Sequence, residues 1–133
     1  MILLDTHVLI WLRQGSSKLG PRSRRAIDRA LAEQQLLVSA ISFWETAMLA
    51  DRGRLRLDMP AGEWRRALLG DGLREVAVDG RIGIEAALLT GLHGDPADRF
   101  ILATGQVESA KVVTADVNML EWHGKVKRLD ARD

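Results

Sequence analysis

Four of the 18 acidic residues in this 133-residue chain stand where chemistry could use them. Asp5 follows the apolar run "ILL", Glu45 follows "LLVSAISFW", Asp98 lies in "HGDPADRFILATG", and Asp116 follows "KVVTA". Each has an ordinary explanation at a helix start. Asp is a preferred N-cap, proline suits the first helical position (Pro96 after Asp95), and an acid in the first turn complements the helix dipole. Ser42 and Glu45 have capping-box spacing. A cap contributes about 1 kcal/mol. Two carboxylates about 4 Å apart repel by roughly 4 kcal/mol at an effective dielectric near 20. If the four acids meet, capping cannot offset the crowding: they are held apart, protonated, or joined by a cation. With oxygen donors and no cysteine, that cation would be Mg²⁺ or Mn²⁺. Such a site can activate water against a phosphodiester, and helix N-termini at the same edge would favour the phosphate.

The acids can meet only if the elements behind them form one sheet. Short apolar runs at 2–4, 36–39, 75–78 and 111–114 predict strands, and amphipathic segments at 22–35, 42–51, 61–69, 82–89 and 97–109 predict helices. This alternation implies an α/β fold with a parallel sheet covered on both faces. Ligands bind such sheets at the carboxyl ends of the strands. Asp5, Glu45 and Asp116 then share one edge, and Asp95 and Asp98 open the helix leading into the last predicted strand. "QGSSKLGP" reads as a loop, with Pro21 placed to start a helix. The opening "MILLDTHVLIWLRQ" lacks a basic leader region and is interrupted by Asp5, so it reads as a core strand rather than a signal peptide.

A hydrophobic content of 47% and a charged content of 28% exclude a disordered chain. The length fits a single domain over residues 1–133. No apolar run approaches the roughly 20 residues needed to cross a bilayer. The absence of cysteine excludes disulfides and thiolate sites, and a reducing cytoplasm is the natural compartment. A net charge of +1 does not by itself suggest nucleic acid, but basic residues cluster at Arg22, Arg24, Arg25 and Arg29, at Arg52, Arg54 and Arg56, and at Lys125, Lys127 and Arg128. Acids gathered in one cleft would leave the remaining surface basic.

The blocks "MILLDTHVLIWL", "SAISFWETAMLADRGRL", "HGDPADRFILATG" and "VVTAD", in this order, resemble PIN-domain ribonucleases of the VapC toxin type. The resemblance spans nearly the whole chain. It implies a three-layer α/β/α fold around a parallel sheet, and Mg²⁺- or Mn²⁺-dependent endonucleolytic cleavage of RNA. It also implies a homodimer held inactive by a cognate antitoxin. The family's acidic quartet falls on Asp5, Glu45, Asp98 and Asp116. Asp5 and Asp98 would be the principal metal ligands. Glu45 and Asp116 would complete the shell, bind a second ion or orient the attacking water. Asp95 then remains as the N-cap, with a water-mediated reach to the metal as its other possible role. The antitoxin would present a cation to the acids and fill an apolar groove beside them.

The match has two departures. His7 stands where many members carry Asn or Ser and reads as a structural group. Gly105 lies inside a helix where Ala is usual, which would allow close packing at a cost of about 1 kcal/mol. Thr6 and Thr114 would hold metal-bound waters or phosphate oxygens, or simply close their strands. Trp44, Met48, Leu49 and Ile101 are assigned to the core, and Trp64, four residues before Leu68, to a dimer or antitoxin groove. His93 and His123 have loop-like contexts and no ligand spacing. A phosphotransfer receiver domain would want an adjacent acidic pair after the first strand, which Asp5-Thr6 does not supply. The competing reading is a catalytically silent PIN-like module that binds RNA or protein. Keeping four acids opposite an anionic ligand argues against it.

Overall fold

The computed structural model describes residues 1–92 and 94–133, so the loop-like reading of His93 falls outside the described residues. In chain order the elements are β1 (Ile2–Leu4), α1 (Thr6–Gln14), α2 (Pro21–Ala32), β2 (Leu36–Ser39), α3 (Ala40–Asp51), α4 (Ala61–Gly70), β3 (Arg74–Val76), α5 (Gly80–Leu88), α6 (Pro96–Glu108), β4 (Lys111–Thr114), α7 (Val117–Glu121) and β5 (Arg128–Asp130). The strands form one sheet in the order β3-β2-β1-β4-β5, and every pairing is parallel.

Register explains the three layers. Leu3 pairs with Leu37 and Val112, and Leu4 with Val38 and Val113. Successive strand residues face opposite sides. Leu4, Val38 and Val113 pack against Val8, Ile27, Trp64 and Leu68 from α1, α2 and α4. Leu3, Leu37 and Val112 pack against Ile101, Leu102, Met119 and Trp122 on the other face. Both faces are covered, so the central strands read as continuous apolar runs. Gly105 turns its missing side chain toward β4, where a Cβ would lie 2.7 Å from Val112 Cγ2. The close packing expected of this glycine is present.

Several expectations need correction. The opening is not one long core strand: β1 ends at Leu4, and Asp5 caps the nine-residue α1 by accepting from Thr6 N. The Ser42–Glu45 pair is not a capping box, because α3 begins at Ala40 under a Ser39 cap and holds both residues in its interior. β3 covers 74–76 rather than 75–78, and Asp79 caps α5 immediately afterwards. β5 was absent from the expectation altogether. The two tryptophan assignments are exchanged: Trp44 is 56% exposed, whereas Trp64 is 3% exposed and meets Phe43 edge-to-face. Met48 and Leu49 are only partly buried, and Ile101 is fully buried. Among the described residues, no helix is long and apolar enough to cross a membrane.

Candidate active site

The carboxyl ends of β1 and β4 lie side by side, and the residues just beyond them, Asp5, Ala115 and Asp116, line a cleft. Asp5 N donates to Val113 O at 3.0 Å, extending the ladder by one residue. The Asp5 side chain then accepts twice, from Thr6 N at 2.7 Å and from the Thr114 hydroxyl at 2.6 Å. Thr114 in turn accepts from Asp116 N at 3.0 Å, and Asp116 Oδ1 accepts from Met119 N to cap α7. Across the cleft, α3 carries Glu45, whose Oε1 accepts from the Thr6 hydroxyl at 2.5 Å. That hydroxyl is also hydrogen-bonded to Ser42 Oγ at 2.8 Å. Asp95 caps α6 by accepting from Ala97 N, and Asp98 sits in the first turn behind it.

The four predicted acids and Asp95 line a single cleft of about 380 Å³, together with His7, Trp11, Ala115 and Arg132. Asp5 and Glu45 are buried, and their carboxyls lie above the ordinary range chiefly because of that burial. Hydrogen bonds from Thr114 and Thr6 offset part of the rise at Asp5, and one from Thr6 offsets part of it at Glu45. Asp98 is pushed up to about 7, first by burial and then by the charges of Asp5, Asp116, Asp95 and Glu45. Among the described residues, none of these acids is paired with a lysine or arginine.

This donor set fits a hard divalent cation in type and in charge. It is not a ready-made cage: among the described residues, no three His, Asp or Glu side chains are already disposed to hold a metal ion. Asp5 and Glu45 lean toward Thr114 and Thr6 instead. A carboxylate has about four lone-pair sites, so each retains acceptor capacity toward the cleft. Thr6 and Thr114 themselves are fully buried and grip carboxylates. Neither is among the residues lining the cleft. His7 is exposed at the cleft wall.

Two neighbours of the acids escaped the sequence reading. Arg132 reaches the cleft because β5 carries the chain back beside β4, and β5 was not expected. Trp44 lies outside the acid cleft, in an adjoining apolar groove of about 320 Å³ with Ile41, Pro96, Ala97 and Phe100. Asp95 lines both. A basic groove at the start of β4, formed by Lys111, Lys125 and Lys127 with Val126, has no acid in its lining.

Residues 2–122 match the PIN domain family. The chain belongs to that family. Its VapC character follows from a relative, Ribonuclease VapC22 of Mycobacterium tuberculosis (strain ATCC 25618 / H37Rv), 35% identical over 116 residues and 86% of each chain. Solved structures share the PIN fold. VapBC2 from Rickettsia felis, bound to a promoter DNA fragment, matches with a TM-score of 0.72 at 13% identity, covering 97% of this chain and 98% of that one. DNA-bound VapBC from Salmonella typhimurium matches with a TM-score of 0.67 at 16% identity, covering 97% and 96%. At those identities the likeness concerns the fold, and the three-layer α/β/α architecture expected from the sequence is the one observed.

Proposed function

We propose that this PIN domain is a Mg²⁺- or Mn²⁺-dependent endoribonuclease and the toxin of a toxin–antitoxin pair. One observation carries the reading: Asp5, Glu45, Asp98 and Asp116 line one cleft, and among the described residues none of them is paired with a lysine or arginine. A protein has no structural reason to gather like charges at the ligand-binding edge of a parallel sheet. The kinship with a ribonuclease of the VapC type supports the same conclusion. Asp5 and Asp98 would be the principal metal ligands, with Glu45 and Asp116 completing the shell. When bound, the ion supplies a Lewis acid for the phosphodiester and lowers the pKa of the attacking water. The chain supplies orientation. Thr114 and Thr6 lock the Asp5 and Glu45 carboxylates in buried hydrogen bonds, so little reorganisation remains when substrate arrives.

An antitoxin partner is supported by relatives solved as toxin–antitoxin complexes. The Trp44 groove adjoining the acids suits its apolar anchor, with a basic side chain reaching into the cleft. Exposed Ile84 and Leu88, one turn apart on α5, suit a homodimer contact. The whole reading is tested by incubating the purified chain with total RNA in Mn²⁺ or in EDTA, beside Asp5→Asn, and sequencing the new ends. Metal-dependent cuts that vanish in Asp5→Asn are expected. A folded, antitoxin-free chain that neither cuts RNA nor binds Mn²⁺ would overturn it in favour of a silent binding module.

A further inference from the structure

We propose that Arg132 is a phosphate-binding residue of the cleft, gripping the RNA backbone beside the acids; this rests on the ribonuclease reading. Among the described residues lining the cleft, Arg132 is the one arginine or lysine. Its backbone is anchored on both sides. Ala131 N donates to Thr114 O at 2.9 Å, and Asp133 O accepts from Arg22 N and Ser23 N. The side chain is held as well. Asp130 Oδ1 accepts from Arg132 N at 3.0 Å and from Nε at 3.2 Å, while Nη2 donates to Ala115 O at 3.1 Å. Nη1 donates to nothing among the described residues, and the side chain is 52% exposed.

Two other roles would leave different traces. A structural arginine would be packed or would cap several carbonyls, as Arg99 does with Ala86, Ala87, Leu89 and Leu92. An arginine serving to neutralise the cleft would pair with its acids. Arg132 pairs with Asp130, outside the cleft lining, and with none of the cleft's acids among the described residues. What remains is a guanidinium fixed next to the carboxylates but not bonded to them. Its planar fork matches a phosphate's oxygens. A polyanion entering an acidic cleft needs a fixed positive charge at the wall, and Arg132 supplies it.

The test is fluorescence anisotropy of a labelled mixed-sequence oligoribonucleotide in EDTA, where binding is read without cleavage, over a series of salt concentrations. Arg132→Ala should weaken binding about tenfold and lower the slope of log K against log salt by about 0.7, the value for one phosphate contact on a single strand. Arg132→Lys should recover the slope and only part of the affinity, because it keeps the charge and loses the fork. Arg66→Ala, which removes an exposed charge on α4, should change both far less. Arg132→Ala binding with the parent's affinity and slope, or shifted only as far as Arg66→Ala, would overturn the assignment and leave the ribonuclease reading standing. A folded parent chain that binds no oligoribonucleotide would also overturn the assignment, and the ribonuclease reading falls with it only if that chain neither cuts RNA nor binds Mn²⁺.

Discussion

The Thr114 hydroxyl donates to Asp5 Oδ2 at 2.6 Å, joining the ends of β4 and β1 across 109 positions of sequence. The bond is buried, and it is one of two that the Asp5 carboxylate accepts from its neighbours. Thr114→Val keeps the shape and removes the donor. We predict a stability loss of about 1.5–3 kcal/mol, the usual cost of a hydrogen bond taken from a charged group. Mn²⁺ affinity and RNA cleavage should fall about tenfold or more, because the carboxylate is no longer held in one orientation. Thr114→Ser should restore most of both. Isothermal titration with Mn²⁺ alongside chemical denaturation separates the two effects, and unchanged metal affinity in the valine variant would remove Thr114 from the site.

Asp5, Glu45 and Asp116 were legible because each follows a short apolar run, and a parallel sheet brings such positions to one edge; Asp98 was legible from the motif that opens α6. Strands buried on both faces also announce themselves, and β1, β2 and β4 have the expected bounds. β5 did not, because Arg128 and Asp130 flank its single buried Leu129 and leave no apolar run to see. Without β5, nothing in the sequence brings Arg132 to the acids. Asp95 is the N-cap of α6, as expected, and it lines the cleft beside Asp98. The tryptophans failed for a different reason. Helical spacing relates residues within one helix and is silent about which face the sheet covers.

That exchange is measurable. Trp64→Ala should destabilise the fold by about 3–5 kcal/mol, because it empties a core position against Phe43 and Leu68. Trp44→Ala should stay within about 0.5 kcal/mol of the parent, since the ring is mostly in water. It should nevertheless weaken capture of a cognate antitoxin through the groove beside the acids. Urea denaturation of the two variants in parallel decides the first point, and equal losses would contradict the packing described.

Gly105→Ala offers a stability change remote from the acids. Alanine favours a helix over glycine by about 1 kcal/mol. The new methyl would meet Val112 Cγ2 at 2.7 Å and Val126 Cγ1 at 3.1 Å, in a closely packed layer. Overpacking costs about 1–3 kcal/mol. Overpacking should win, giving a net loss of about 1 kcal/mol with Mn²⁺ binding intact at temperatures where the variant is folded. A more stable variant would mean that α6 can slide away from β4 without strain.

Asp98 sets the pH response of the metal-free protein. Its carboxyl rises from 3.8 to about 7 on folding, so between those values the folded state binds the extra proton. The stability this contributes is fully present below about pH 4 and is lost as pH climbs through 7. Such a rise corresponds to at most about 4 kcal/mol, and water at the half-buried group screens it to about 1–2 kcal/mol. Asp5 and Glu45, also raised, act in the same direction. The melting temperature in EDTA should therefore fall between pH 5 and pH 8. Asp98→Asn should flatten part of that fall, leaving a protein more stable than the parent at pH 8 and unable to cut RNA. Mn²⁺ should reverse the fall for the parent, because a ligand bound only by the folded state stabilises it by mass action, and should do much less for Asp98→Asn. Parallel melting curves for parent and variant across the whole pH range would mean that neither burial nor the other carboxylates raise Asp98.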